Sequence, residues 1–468
     1  MITRRQLLTR AGMGFGAVAA SALLQAASDN PLAPRKPPGD AKAKAIIYLF
    51  MHGGVSHVDT WDPKPELTRL SGQTLPASFA QGLKTSRIDF TKAIIRGTPW
   101  KFSHHGQSGT EVSELFPHMA KHVDEFVLVR SCYGDAFDHA PAMYLRSTGS
   151  MVPGKPCLGS WSVYGLGSEN QNLPAFVVMS DGAMKSGPQG YGAGYLPAVY
   201  QGTVFRAGAT PILDLATPEG INAPAQRTTL DFIHQMDQRH LAARPGDDEL
   251  EARIAAYELA YRMQSTAPEA VDISKESAAT RKLYGIGEPA TDDFGRKCLL
   301  ARRLVQRGVR FVQLYCGTNL GDDWDDAHND LLGSHNKMCK KSDQPIAALL
   351  KDLKAHGLLD STLVVWSSEF GRTPLAEGKN GRDHHPYGFS TWMAGAGIQG
   401  GRALGATDEF GLRAVDQRKD VHDMNASILR LLGMDHTKLT YRYQSRDQRL
   451  TDVHGEGEFT DWLLNTKA

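Results

Sequence analysis

Six short apolar runs, at 45–51, 126–130, 175–179, 311–315, 363–366 and 391–394, punctuate this chain of 468 residues. Runs without polar alternation are buried on both faces, as the strands of a parallel sheet are. Helical patterns lie between them, at 114–122, at 228–263 with a break at Arg244-Pro245-Gly246, at 293–307 and at 346–357. Strands alternating with helices predict an α/β fold, a doubly wound and mostly parallel sheet with helices on both faces. Hydrophobic residues are 41% and charged residues 22%, ordinary globular usage that excludes disorder and coiled coil. A net charge of +1 gives no reason to expect a nucleic-acid partner.

The N-terminus reads as an address. Thr3-Arg4-Arg5-Gln6-Leu7-Leu8 precedes an apolar stretch of small residues, so 1–27 is expected to be a twin-arginine-type export signal. That implies the twin-arginine export machinery as a partner and a periplasmic or secreted location. The stretch is too rich in Ala and Gly for a comfortable span, and no stable membrane span is expected in the mature form. Segment 28–44, rich in Pro and Lys, is expected to be a mobile linker. Residues 45–468 are then a single α/β domain with an irregular excursion near 181–227. Five cysteines show no Cys-x-x-Cys spacing, which argues against a thiolate zinc site. One or two disulfides are open to them, with at least one thiol left over.

Ligands of open parallel sheets gather at the carboxyl ends of the strands. Here those ends carry His52 through Asp59 to Asp62, then Asp135, Asp138 and His139, then Asp322 to His328, then Glu369 and Arg372, and finally Arg382 to His385. Five strand ends delivering a carboxylate, an imidazole or both predict a site for a divalent metal or an anion. Mixed His and carboxylate donors suit zinc, manganese or iron, and oxygen-rich ones calcium. Each piece also has a plainer reading: Asp59 and Asp62 as helix caps, Asp325 and His328 as a loop pair, Arg372 and Arg382 as salt-bridge partners. His104-His105 is expected to be solvated, and Tyr48 and Trp366 to be core.

These motifs resemble a known family. The twin-arginine start, the segment 53–62, Pro156-Cys157-Leu158-Gly159-Ser160-Trp161 with 164–167, and Trp324-Asp325 with His328 all carry the resemblance. So do Glu369-Phe370-Gly371-Arg372-Thr373-Pro374, Gly381-Arg382-Asp383-His384-His385-Pro386 and the segment 423–433. Together they resemble domain-of-unknown-function family 1501, exported sulfatase-like proteins of the alkaline phosphatase superfamily. The resemblance implies one or two divalent ions at the carboxyl edge of the sheet and a nucleophile at the start of a helix facing the anion. Asp325 and His328 resemble the superfamily's Asp-x-x-x-His metal pair, with spacing one residue shorter. Glu369 stands at its Asp-His-Gly aspartate, with Phe370 in place of the histidine. His384 or His385 resembles the late metal-binding histidine. Asp59 is the candidate early acid, although His52 occupies the position directly after the first strand. Aligning Thr148-Gly149 with the sulfatase Thr-Gly puts His139 on the nucleophile and Ala142 and Met143 on the Ser-Arg of the maturation signal, so formylglycine chemistry is not expected.

The resulting expectation is a metal-dependent hydrolase of phosphate or sulfate esters, its substrate an anionic small molecule or polysaccharide. Asp59, Asp325, His328, Glu369, His384 and His385 are the expected ligands, with His52 as an extra one. His139 acts as ligand or as nucleophile, and Arg372 or Arg382 as the oxyanion clamp. The alternative is a non-catalytic protein of the same fold that binds an anionic glycan or a partner.

Overall fold

The computed structural model describes residues 30–466 except 84–86, 181, 207–210, 213–214, 216, 218, 245–247 and 318–321. The export signal read at 1–27 lies outside the described residues. All six apolar runs are strands: β1 (Ala45–Met51), β2 (Phe126–Tyr133), β3 (Phe176–Ser180), β5 (Phe311–Cys316), β6 (Thr362–Ser367) and β7 (Phe389–Ala394). β4 (Thr203–Arg206), β8 (Arg402–Leu404) and the two-residue β9 (Lys419–Asp420) complete one sheet in the order β8-β2-β7-β6-β1-β5-β3-β4, with β9 also on β2. β7 alone among these strands runs antiparallel, to both β2 and β6. The rest is parallel, with Ile46 of β1 opposite Phe311 on one side and Leu363 on the other.

The pleat explains why β1 has no polar residue. Ile47, Leu49 and Met51 pack into the core on one face with Leu299, Leu304 and Leu349, while Ile46, Tyr48 and Phe50 face Trp161, Leu429 and Leu431 on the other. Four of the helices, α2 (His139–Thr148), α3 (Leu158–Leu166), α6 (Asp292–Gln306) and α7 (Leu331–Ala355), flank the sheet, as does α8 (Val421–Leu431). α1 (His57–Thr60) is one turn behind β1. The charged stretch expected to be helical becomes α4 (Ala223–Ala242) and α5 (Asp248–Val271). The other helical readings need adjustment. At 114–122 only a 3-10 turn forms, Met119–Glu125, because Phe116 and Met119 are held in the core by tertiary contacts. α7 starts fifteen residues earlier than its apolar pattern, capped by Asp330, whose carboxylate accepts from Gly333 N at 3.0 Å.

Two segments make backbone contacts, among their described residues, that their composition does not show. The Pro- and Lys-rich stretch before β1 is laid on the end of α8, where Gly39 N donates to Gly433 O and Lys42 N and Ala43 N to Leu431 O, each at 2.8 Å. Backbone bonding needs no apolar pattern, so composition could not show it. The excursion at 181–227 supplies β4 to the sheet edge. All five cysteines are buried free thiols. No helix among the described residues is long and apolar enough to cross a membrane.

Candidate metal centre

The carboxyl ends of β1, β2, β5 and β6 converge, and each brings its polar residues with it. β1 ends in His52-Gly53-Gly54, with Gly53 at φ +115°; a Cβ there would stand 2.5 Å from Asp325 N, so the missing side chain lets the turn after β5 close in. That turn, Trp324–His328, carries Asp325 and His328. His139 is the first residue of α2, behind β2. Glu369 follows β6 by two residues, and a short antiparallel pair beyond it sets Arg372 opposite His384.

Asp325 is the hub. Its Oδ1 lies 2.8 Å from His139 Nε2, 3.1 Å from His384 Nε2, 3.3 Å from His328 Nε2 and 2.7 Å from Arg372 Nη2. The other nitrogen of each imidazole faces an acceptor: His139 Nδ1 meets Glu369 Oε1 at 2.7 Å, His384 Nδ1 meets Phe137 O at 2.7 Å, and His328 Nδ1 meets the Glu377 carboxylate. A neutral imidazole has one N–H, and these acceptors claim it. The Nε2 atoms of His328 and His384 therefore present bare lone pairs toward the carboxylate oxygen that His139 Nε2 also faces. His328 Nε2 and His384 Nε2 are 2.8 Å apart with neither holding a proton for the other, and His139 Nε2 lacks the alignment of a hydrogen bond to Asp325. Convergent lone pairs repel unless a cation lies among them. The outward Nδ1–H bonds are those by which metal-bound histidines are oriented.

Electrostatics agree with that protonation for His328 and His384, whereas His139 is drawn toward its charged form by the two carboxylates it faces. Burial pushes His328 down to about 2 and His384 down to about 4, with Arg372 adding to both, so both rings are neutral at pH 7. Burial would lower His139 too, but the Asp325 and Glu369 carboxylates hold it above its ordinary value. Burial favours protonating Glu369, yet His139 outweighs it and takes the carboxyl down to about 2. Asp325 is held far below the carboxylate range by His139, His384 and Arg372 against the pull of its own burial. The donor atoms of His139, Asp325 and His384 lie within 4.8 Å of one another, as do those of His328, Asp383 and His384, so His384 is common to two potential cation sites.

The family of the chain can now be given. Residues 43–458 match the family described as "Protein of unknown function (DUF1501)". The chain belongs to that family. A comparison with curated proteins found no match. Among solved structures, it is similar to the lipoteichoic acid synthase LtaP from Listeria monocytogenes, at 8% identity and TM-score 0.41, covering 90% of this chain and 79% of that one. It is also similar to the PsFucS1 sulfatase from Pseudoalteromonas sp., at 11% identity, TM-score 0.37 and coverage of 90% and 71%. The phosphonate monoester hydrolase SpPMH from Silicibacter pomeroyi is a third, at 12% identity, TM-score 0.35 and coverage of 75% and 72%.

In this DUF1501 protein the other residues expected at the centre are placed elsewhere or employed differently. Asp59, a residue of α1, is fully buried and paired with Arg382 through contacts of 2.7 and 3.1 Å, with Ser56 Oγ donating to it as well. Neither partner reaches the imidazoles, because α1 turns the carboxylate toward the loop at 381–383. His385 points to the far side of its strand, donates Nε2–H to Leu412 O at 2.6 Å and stacks on His57 at 6.2 Å. His52 borders the cluster, its ring 6.3 Å from that of His139, but its Nε2 accepts Lys185 N–H at 3.3 Å. Arg372 is too enclosed to clamp a substrate oxyanion: it spends its N–H groups on Asp325 and on the carbonyls of Gly53, Gly54, Trp324 and Arg382. Glu369 meets His139, Gly53 N and Ser368 Oγ rather than the centre itself.

Three further residues complete the site. Lys185, behind β3, reaches Asp325 Oδ2 and lies 3.5 Å from Asp323 Oδ2, with 18% of its side chain exposed. Glu377 holds His328, and Asp383 stands beside His384 in a motif already singled out. Lys185 and Glu377 sit in Gly-rich stretches with no periodicity, so nothing local marked them. The first turn of α2 has neither hydroxyl nor thiol, being His139-Ala140-Pro141-Ala142. Ser147 and Thr148, at the other end of that helix, donate back to Met143 O and Tyr144 O.

Proposed function

We propose that this protein is an exported metal-dependent hydrolase of phosphate or sulfate esters, acting on an anionic small molecule or polysaccharide. The observation that carries the reading is the convergence of three imidazole nitrogens on Asp325 Oδ1. The donor set fits a divalent ion with nitrogen and oxygen ligands. His139, Asp325 and His384 would hold one ion, and His328, Asp383 and His384 a second. Such an ion, when bound, supplies Lewis-acid stabilisation of the charge that develops on an ester oxygen. The chain's own groups prepare the site for it. Glu369, Glu377 and the Phe137 carbonyl fix the three rings in the tautomer that turns Nε2 inward. Arg372 holds Asp325 ionised. Lys185, the partly exposed cation at Asp325, is placed to meet an anionic substrate group.

The absence of a hydroxyl or thiol from the first turn of α2 favours a second reading, a non-catalytic protein of this fold that binds an anionic glycan or partner. One experiment separates them. The protein, purified after export without chelator, is assayed for bound metal and then for hydrolysis of p-nitrophenyl phosphate and sulfate. Near-stoichiometric metal with turnover of either ester supports the hydrolase. A folded protein unable to take up zinc, manganese, iron or calcium overturns the hydrolase and favours the binding protein, as does metal without turnover of any ester.

A further inference from the structure

The two donor groups share His384 but are supported differently. Behind His139, in the first group, stands Glu369, whose side chain is fully enclosed and anchored by Gly53 N and Ser368 Oγ. Behind His328, in the second, stands Glu377, on the loop between Arg372 and Arg382. That loop is closed on itself, with Glu377 N donating to Gly381 O at 2.9 Å and Gly381 N to Glu377 O at 3.0 Å. These bonds fix the backbone of Glu377 but not its carboxylate.

The carboxylate is met by a residue from elsewhere in the chain. Arg87 Nη1 donates to Glu377 Oε1 at 3.3 Å, and the Arg87 backbone N–H donates to Asp383 Oδ2 at 3.0 Å. One residue thus touches both a candidate ligand of the second group and the carboxylate that orients another. Glu377 and Asp383 are close enough for their charges to oppose each other, and Arg87 is the cation set against Glu377. The Arg87 side chain is 57% exposed and that of Glu377 14%. Solvent and salt therefore screen this pair, as they cannot screen the enclosed contact of Glu369 with His139.

We propose that Arg87 is the positioning residue of the second donor group and makes the ion bound there conditional. The ion at His139, Asp325 and His384 is held tightly, whereas the ion at His328, Asp383 and His384 is exchangeable and depends on the exposed Arg87–Glu377 pair. This inference rests on the metal-centre reading and adds to it an order of occupancy, and with it a means of regulation by metal supply.

Zinc titrated into the metal-free protein, in competition with a chromogenic chelator, reads the two ions separately. The wild type is expected to take up two, the second more weakly. Arg87→Ala should weaken the second by about fivefold, the size of an exposed ion pair, and leave the first unchanged; Arg87→Lys should retain part of the difference. In a Glu377→Gln background Arg87→Ala should have no further effect, since the pair is already broken, whereas a general packing role would persist there. Raising sodium nitrate from about 0.05 to 0.5 M should weaken the second ion in the wild type, and Arg87→Ala should remove most of that response. An unchanged second ion in Arg87→Ala, equal weakening of both ions, or an effect that persists beside Glu377→Gln would each overturn the proposal. Uptake of a single ion by the wild type would overturn it while leaving a metal centre in place, and uptake of none would fell the metal-centre reading itself.

Discussion

Glu369 Oε1 stands 2.7 Å from His139 Nδ1, and this contact decides which nitrogen of the ring faces Asp325. Because Glu369 is also bonded by Gly53 N at 2.9 Å, it couples the glycine turn behind β1 to the first residue of α2. Removing its charge should weaken the centre without dismantling it. Glu369→Gln is expected to lower zinc affinity by about 10–100-fold, the usual cost of losing a carboxylate behind a metal-binding histidine. Competition titration against a chromogenic chelator measures it; unchanged affinity would exclude Glu369 from a supporting role.

His384 belongs to both donor groups, whereas His139 and His328 belong to one each. His384→Ala should therefore strip all metal, while His328→Ala should leave the ion held by His139 and Asp325. Metal-to-protein ratios by elemental analysis check this. Equal ratios in the two variants would show that the donors do not form two groups sharing one imidazole.

The Asp59–Arg382 pair has both side chains fully buried, so breaking it leaves a stranded charge. Asp59→Asn is expected to cost about 3–5 kcal/mol of stability. Metal bound per folded molecule should not change, since Asp59 is bonded to Arg382 and Ser56 instead of to the centre. Denaturant unfolding and elemental analysis of the folded fraction test the two halves; metal loss in a well-folded variant would restore Asp59 as a ligand.

Acid should unfold the protein through buried histidines away from the centre. Burial lowers His57 from 6.5 to about 4 and His335 from 6.5 to about 3. Above pH 6.5 both are neutral whether folded or unfolded and cost nothing. Below it the unfolded chain takes up protons that the folded one refuses, so stability falls from pH 6.5 down to the folded values. Each group contributes a slope of about 1.4 kcal/mol per pH unit in that window. In His57→Gln the stability measured by urea unfolding should fall less steeply between pH 6 and 4; an unchanged slope would contradict this origin.

Lys185 is the cation placed to reach a ligand. In metal-loaded protein, Lys185→Met should weaken binding of inorganic phosphate or sulfate by about tenfold, roughly one charge-assisted hydrogen bond, while metal content stays the same. Calorimetric titration measures both anions, and wild-type affinity in the variant would remove Lys185 from the anion site.

The sequence alone determined where six of the nine strands of the main sheet fall, because a strand buried on both faces must be continuously apolar, and β1, β5 and β6 have that pattern, whereas the short β4, β8 and β9 do not. It also determined that polar chemistry collects behind those strands, since a parallel sheet puts their carboxyl ends on one edge. It was silent on which carboxylate meets which base. Asp59 and Asp325 look alike in sequence, each near imidazoles behind a strand, yet α1 turns one to Arg382 and the 3-10 turn after β5 turns the other to three histidines. Adjacent His384 and His385 diverge because successive residues of a strand face opposite ways. Lys185 and Glu377 had no local signal, since they reach the site through loops whose path is set by packing rather than by periodicity. Partner choice is a property of the closed structure, where burial makes each unpaired charge costly enough to select one arrangement.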